Sequence, residues 1–216
     1  MERRKALKNM GLAMGFTVAT PTVLSLLQSC KGETGPSWTP LYFSPDQGSA
    51  LEKLVDLILP KTDTPSASEV NVHVFLDRYM ESVPEPADQE FFQSAFTAFL
   101  EKAKIDSGKE NASDLAAEDL EPVLAAELAV RSPEDEMAMM EAMTSYQEAM
   151  EAGEQVTLDE AIQRYQFANT LRNSTIWAYK TSEQIGEEVL AYLPVPGEYV
   201  PCGDLNELTG GKAWSI

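Results

Sequence analysis

The chain of 216 residues holds one histidine, His73, and two cysteines, Cys30 and Cys202. Those three side chains bound the chemistry it could do alone. A serine or cysteine nucleophile needs a base beside it, so an imidazole-assisted pair would have to recruit His73. His73 stands in "VHVFLDRY", among apolar residues at helical spacing, where a partly buried histidine on a packing face is the expectation. One imidazole with scattered carboxylates lacks the ligand spacing of a metal site. There is no Cys-x-x-Cys-His for haem attachment, no cysteine set for an iron–sulfur cluster and no G-x-G-x-x-G after a strand. Met137, Met139, Met140, Met143 and Met150 have the thioethers of a soft ligand set or an adaptable groove, yet a methionine stripe at helical spacing is expected to be core. A serine or Cys202 pairing with His73 stays open but nothing local supports it, so the expectation is no catalytic residue, no metal site and no cofactor in this chain.

Charge removes further classes. Asp and Glu number 35 against 16 Lys and Arg, for a formal net charge of −19. Residues 1–29 carry Arg3, Arg4, Lys5 and Lys8 against Glu2, so the rest of the chain is more acidic still. Such a surface repels phosphate backbones and anionic lipid, so no nucleic acid is expected as a partner.

The first 29 residues read as an export signal, outside the folded domain. Arg3 and Arg4 open a twin-arginine pattern, with Leu7 and Lys8 fitting it and Ala6 where a Phe is usual. "GLAMGFTVATPTVLSLL" follows as a mildly apolar stretch, interrupted by Pro21 and several threonines, and too broken to read as a spanning helix. "LQSC" ends it like a lipobox, which makes Cys30 the lipidated first residue of a periplasmic, membrane-tethered lipoprotein in a Gram-negative bacterium. Cys202 is then the one remaining thiol in an oxidising compartment, either buried and inert or bonded to another chain. Residues 30–43, with "KGETGPSWTP", form a polar tether.

The remainder, 44–216, is expected to be mainly α: a helical, bundle-like single domain with an extended Pro/Gly/aromatic tail from 193 to 216. "SPDQ" at Ser44–Gln47 is a capping box, and Leu51, Leu54, Val55 and Ile58 give its helix an apolar face that stops before Pro60. Leu76, Met80 and Val83 recur at helical spacing, as do Phe92, Phe96, Phe99 and Ala103. A shorter helix is expected around Leu124 and Leu128. Another starts at "SPEDE", with Met139, Met143, Tyr146 and Met150 as its seam. "TLDE" at Thr157–Glu160 predicts a capped start for a long helix with Leu158, Ala161, Tyr165 and Ala168 on one face, and Thr181 with Gln184 predicts one more. Pro194, Pro196 and Pro201 then forbid helix and favour an extended path.

Two stretches, "LILPKTDTPSASEVNVHVFLDRYM" and "TSEQIGEEVLAYLPVPGEYVPC" with the closing "GKAWS", resemble the gluconate 2-dehydrogenase subunit 3 family from about Ser44 to Ile216. The P-x-T-D-T-P element at Pro60–Pro65 and the Pro-Gly-Tyr element are its most specific parts, and Ser66 departs from the family's glycine. The resemblance implies a non-catalytic small subunit. It would bind, help fold and co-export a large FAD-dependent dehydrogenase of the glucose-methanol-choline type, which oxidises a sugar or sugar acid and passes electrons to a cytochrome c or another acceptor. The twin-arginine signal would then serve a folded flavoprotein lacking one. The competing readings are a free-standing lipoprotein with a ligand groove among the methionine helices, and a stand-alone enzyme acting on sugars.

Aromatics are concentrated toward the C-terminus, and large rigid rings are favoured at interface centres. Trp177, Tyr179, Tyr192, Tyr199, Cys202 and Trp214 are accordingly the expected partner interface, with Cys202 placed for a disulfide to the large subunit. Packing of the same tail on its own helices is the alternative, and both can hold.

Overall fold

The computed structural model describes residues 38–154, 156–195, 197 and 202–215. Arg3, Arg4, Cys30, most of the tether, Tyr199 and Ile216 lie outside the described residues. What is described is mainly helical, with no strand beyond a single bridge.

Helix α1 spans Pro45–Ile58 and begins as its sequence requires. The Gln47 amide N–H donates to Ser44 Oγ (3.2 Å) and the Ser44 N–H donates to Gln47 Oε1 (3.1 Å). Just before it, the N–H groups of Leu41, Tyr42 and Phe43 donate to the carboxylate of Asp77, at 2.7, 3.0 and 3.0 Å. Asp77 is fully buried on α2 (Val72–Ser82), so three otherwise unpaired backbone donors fix where the chain enters the domain.

Between them lies the Pro60–Pro65 loop. It is held at both ends: the Ala67 N–H donates to the Leu59 carbonyl (3.0 Å), and Ser68 donates through N–H and Oγ to Asp56 (2.7 and 2.6 Å). Ser66 stands in the ordinary region of backbone space; among the described non-glycine residues only Asn71 has a positive φ, of 59°. The serine therefore adopts this turn without the freedom a glycine would give.

Helix α3 (Pro86–Ser107) and helix α6 (Glu160–Lys180) form the central pair. Phe96 stacks on Phe167 (centroids 4.5 Å apart, 15° between planes), with Phe92 and Phe99 at 5.4 and 5.0 Å from the same ring. Helix α4 (Ala117–Glu127) closes the core with Leu120, Val123 and Leu124. Gly108, with φ 70°, ends α3 in the left-handed conformation that glycine adopts most readily.

Five expectations need correction. Helix α5 (Pro133–Glu151) is capped by Ser132 as read, but none of its residues is buried, so the methionine seam is not core. Helix α6 is capped by Asp159, whose Oδ1 accepts the Ala161 N–H (2.8 Å), and not by Thr157. Its buried row is Gln163, Phe167, Ala168, Leu171, Thr175 and Ala178; of the expected face, Ala168 belongs to this row and Leu158 is buried just before the helix, while Ala161 is exposed and Tyr165 only partly covered. Thr181 terminates α6, its hydroxyl donating to the Trp177 carbonyl (2.9 Å); a π-helical turn at Ile185–Val189 follows. Val83, read as part of the α2 face, lies past the helix end and is exposed.

The tail contains a short helix, α7 (Leu205–Thr209), capped by Asp204 and closed by Gly210. It then returns on itself: the Ala191 N–H donates to the Ala213 carbonyl (2.8 Å) and the Ser215 N–H to the Ala191 carbonyl (2.9 Å). A Cβ placed on Gly186 would stand 3.0 Å from Ser215 Oγ, so the tail lies close against the π-turn. The end of the described tail thus pairs with Ala191 beside the π-turn, while most of its residues stay exposed.

Candidate functional site

The most site-like region is an aromatic surface beside an apolar cavity. On α2, Phe75 and Tyr79 stand one turn apart, and on α6 Trp177 faces both, its ring centroid 5.3 Å from Phe75 and 5.7 Å from Tyr79 in edge-to-face geometry. Phe75 is 42% exposed and Trp177 45%. The rings pack edge-to-face on one another while keeping apolar area in water.

Tyr79 also lines a cavity of about 310 Å³ with Met80, Pro84, Phe91, Phe92 and Phe167, rimmed by Asp88, Gln166, Thr170 and Ser174. Ser174 and Trp177 are three residues apart on α6, so cavity mouth and aromatic surface share one helix face. The lining is largely apolar and has no Lys or Arg. It suits an apolar side chain arriving from outside. Among the described residues no group of His, Cys, Asp and Glu is placed to hold a metal ion.

His73 takes no part in this surface. It is 3% exposed, more deeply buried than a packing-face histidine was expected to be, and its ring meets Trp38 edge-on at 5.3 Å. His73 Nδ1 and Trp38 Nε1 are both buried without a hydrogen-bond partner among the described residues. Burial pulls the imidazole below its ordinary value, with the negative charges of Glu52 and Asp56 opposing in part.

The expected interface residues separate. Trp177 is exposed and belongs to the aromatic surface. Tyr179 points inward: its hydroxyl donates to the Pro65 carbonyl (2.7 Å), tying α6 to the Pro60–Pro65 loop. Tyr192 and Trp214 are exposed on the two sides of the Ala191 clasp. Cys202 is a free, exposed thiol, which removes the buried, inert alternative. Phe75 and Tyr79 were not foreseen as surface residues. Their signal was present, since at i and i+4 they form a second apolar stripe beside the buried Leu76 and Met80.

Residues 45–197 match the family model of gluconate 2-dehydrogenase subunit 3. The chain belongs to that family. The match takes in the Pro60–Pro65 loop, the aromatic surface and the cavity, and it ends before Cys202 and Trp214. No curated protein and no solved structure matches the chain. Membership of the gluconate 2-dehydrogenase subunit 3 family makes this a subunit type of a multisubunit dehydrogenase, in keeping with an accessory role.

Proposed function

We propose that this gluconate 2-dehydrogenase subunit 3 protein is a non-catalytic escort. It binds a large FAD-dependent dehydrogenase acting on a sugar or sugar acid, assists its folding and carries it through the twin-arginine exporter. FAD is held by the partner and electrons leave toward a cytochrome c or similar acceptor. Cys30, once lipidated, tethers the pair to the periplasmic side of a membrane, with a second attachment needed because one acyl chain binds weakly.

The observation that carries the reading is the half-exposed Phe75–Tyr79–Trp177 cluster at the mouth of an apolar cavity, in a chain whose family is named as a dehydrogenase subunit. Trp177 and its two neighbours form the centre of the docking surface, where buried aromatics contribute most. Tyr192, Trp214 and the Cys202 thiol are further exposed groups for the partner, the last available for a disulfide to it, and Tyr199, outside the described residues, is assigned to the same interface on its sequence position alone. Export provides the test. With Arg3→Lys and Arg4→Lys together, both this chain and the flavoprotein should remain in the cytoplasm. Normal periplasmic dehydrogenase activity in that double variant would rule out co-export.

A further inference from the structure

Helix α5 differs from the aromatic surface in composition and is the least buried of the long helices among the described residues. It runs for 19 residues and buries none of them. Met137 and Met140 are 68% and 70% exposed. Its base, in contrast, is firmly fixed. The Glu127 carboxylate, nearly buried at the end of α4, accepts from Arg131 (3.1 Å) and from Arg164 of α6 (3.0 Å), and the Arg131 guanidinium lies 4.5 Å from the Tyr165 ring centroid. Along its length, Tyr146 meets Phe91 at 6.0 Å, and Phe91 also lines the apolar cavity. The helix therefore continues the strip formed by the aromatic cluster and the cavity.

Its chemistry selects what can cover it. Glu134, Asp135, Glu136, Glu141, Glu148 and Glu151 lie on α5, and the helix has no Lys or Arg. A second copy of this helix would oppose like charges, and so would an anionic lipid surface or a nucleic acid. Exposed methionines adapt to irregular apolar relief without demanding a single geometry. We infer that α5 docks against a cationic, apolar-lined surface of the large flavoprotein subunit, with its methionines at the centre of the contact and its carboxylates around them. The identity of that partner rests on the escort reading; the charge and apolarity of its surface rest on α5 alone.

The test uses the wild-type full chain co-expressed with the flavoprotein. Brief exposure to hydrogen peroxide, followed by peptide mass spectrometry, reads sulfoxide formation at Met137 and Met140 in the free chain and in the complex. Because thioether oxidation follows exposure, both sites should react about tenfold more slowly in the complex, whereas buried Met80 serves as the slow reference in each. Glu134→Lys with Glu141→Lys should weaken copurification and reduce its sensitivity to salt, since fewer opposite charges then face the partner. Circular dichroism checks that the helix persists in that variant. If the complex forms and Met137 and Met140 oxidise as fast as in the free chain, α5 is not an interface and the escort reading stands. If no flavoprotein copurifies with the wild-type chain, the escort reading falls and takes the α5 assignment with it.

Discussion

Helices α5 and α6 are nearly equal in length, 19 and 21 residues, and both have apolar residues at helical spacing. Yet α6 buries Phe167, Ala168 and Leu171 against α3, while α5 buries nothing. Sequence pattern gave both an apolar row; neighbours decided which row was used. Phe167 finds Phe92, Phe96 and Phe99 around it, whereas among the described residues the ring contact of α5 with α3 is the Tyr146–Phe91 pair. An apolar row at helical spacing thus does not by itself fix how deeply a helix is buried.

The comparison is broken most directly by truncating each row. Phe167→Ala should cost about 3–5 kcal/mol in the urea unfolding free energy, because it leaves a cavity between stacked rings. Met143→Ala on α5 should cost below about 1 kcal/mol, as expected where little packing is lost. Equal losses for the two would mean that α5 is packed as tightly as α6.

Asp77 sharpens where the packed region begins. Replacing it with Ala leaves the N–H groups of Leu41, Tyr42 and Phe43 without their acceptor, and should cost on the order of 3 kcal/mol. Asp77→Asn should cost less, because its amide oxygen still accepts. A negligible loss for Asp77→Ala would show that residues 41–43 are not anchored to the core.

Much of this was legible beforehand, for local reasons. The Ser44 and Ser132 caps, the α3 face and the stop before Pro60 each depend on residues within one turn of the feature they set. The failures have a common cause in competition. Thr157 and Asp159 both offer an N-cap oxygen within three residues, and the later one wins. Thr181 can cap the helix that follows or terminate the one that precedes, and its hydroxyl donates backward to Trp177. At the candidate site, Trp177 was identifiable as an aromatic near the end of a helix. Its pairing with Phe75 and Tyr79, about a hundred residues earlier, depends on how α2 crosses α6, which no local pattern encodes. Tyr179 looked equivalent to Trp177 and was separated from it only by a hydrogen bond to Pro65.

The smallest expected effect concerns pH. Burial disfavours the charged imidazole of His73 in the folded protein. Below its ordinary value of 6.5, the unfolded chain therefore binds more protons at this residue than the folded one. The His73 contribution to stability is present above that value and is lost as pH falls through it toward the folded value. Unfolding curves between pH 7 and pH 5 should show a smaller decline for His73→Gln than for the wild type. The same slope in both would place the titration elsewhere, among the carboxylates.

The claim that the exposed rings are a docking surface is tested most directly by one copurification. The wild-type chain and the Phe75→Ser, Trp177→Ser double variant are each expressed with the flavoprotein and purified through a tag on this chain, with bound flavin read by absorbance and helical content by circular dichroism. Loss of a central aromatic typically weakens an interface by about 2 kcal/mol or more. The account predicts that flavin accompanies the wild-type chain and is lost from the variant while helical content stays unchanged. Equal flavin with both chains would contradict it.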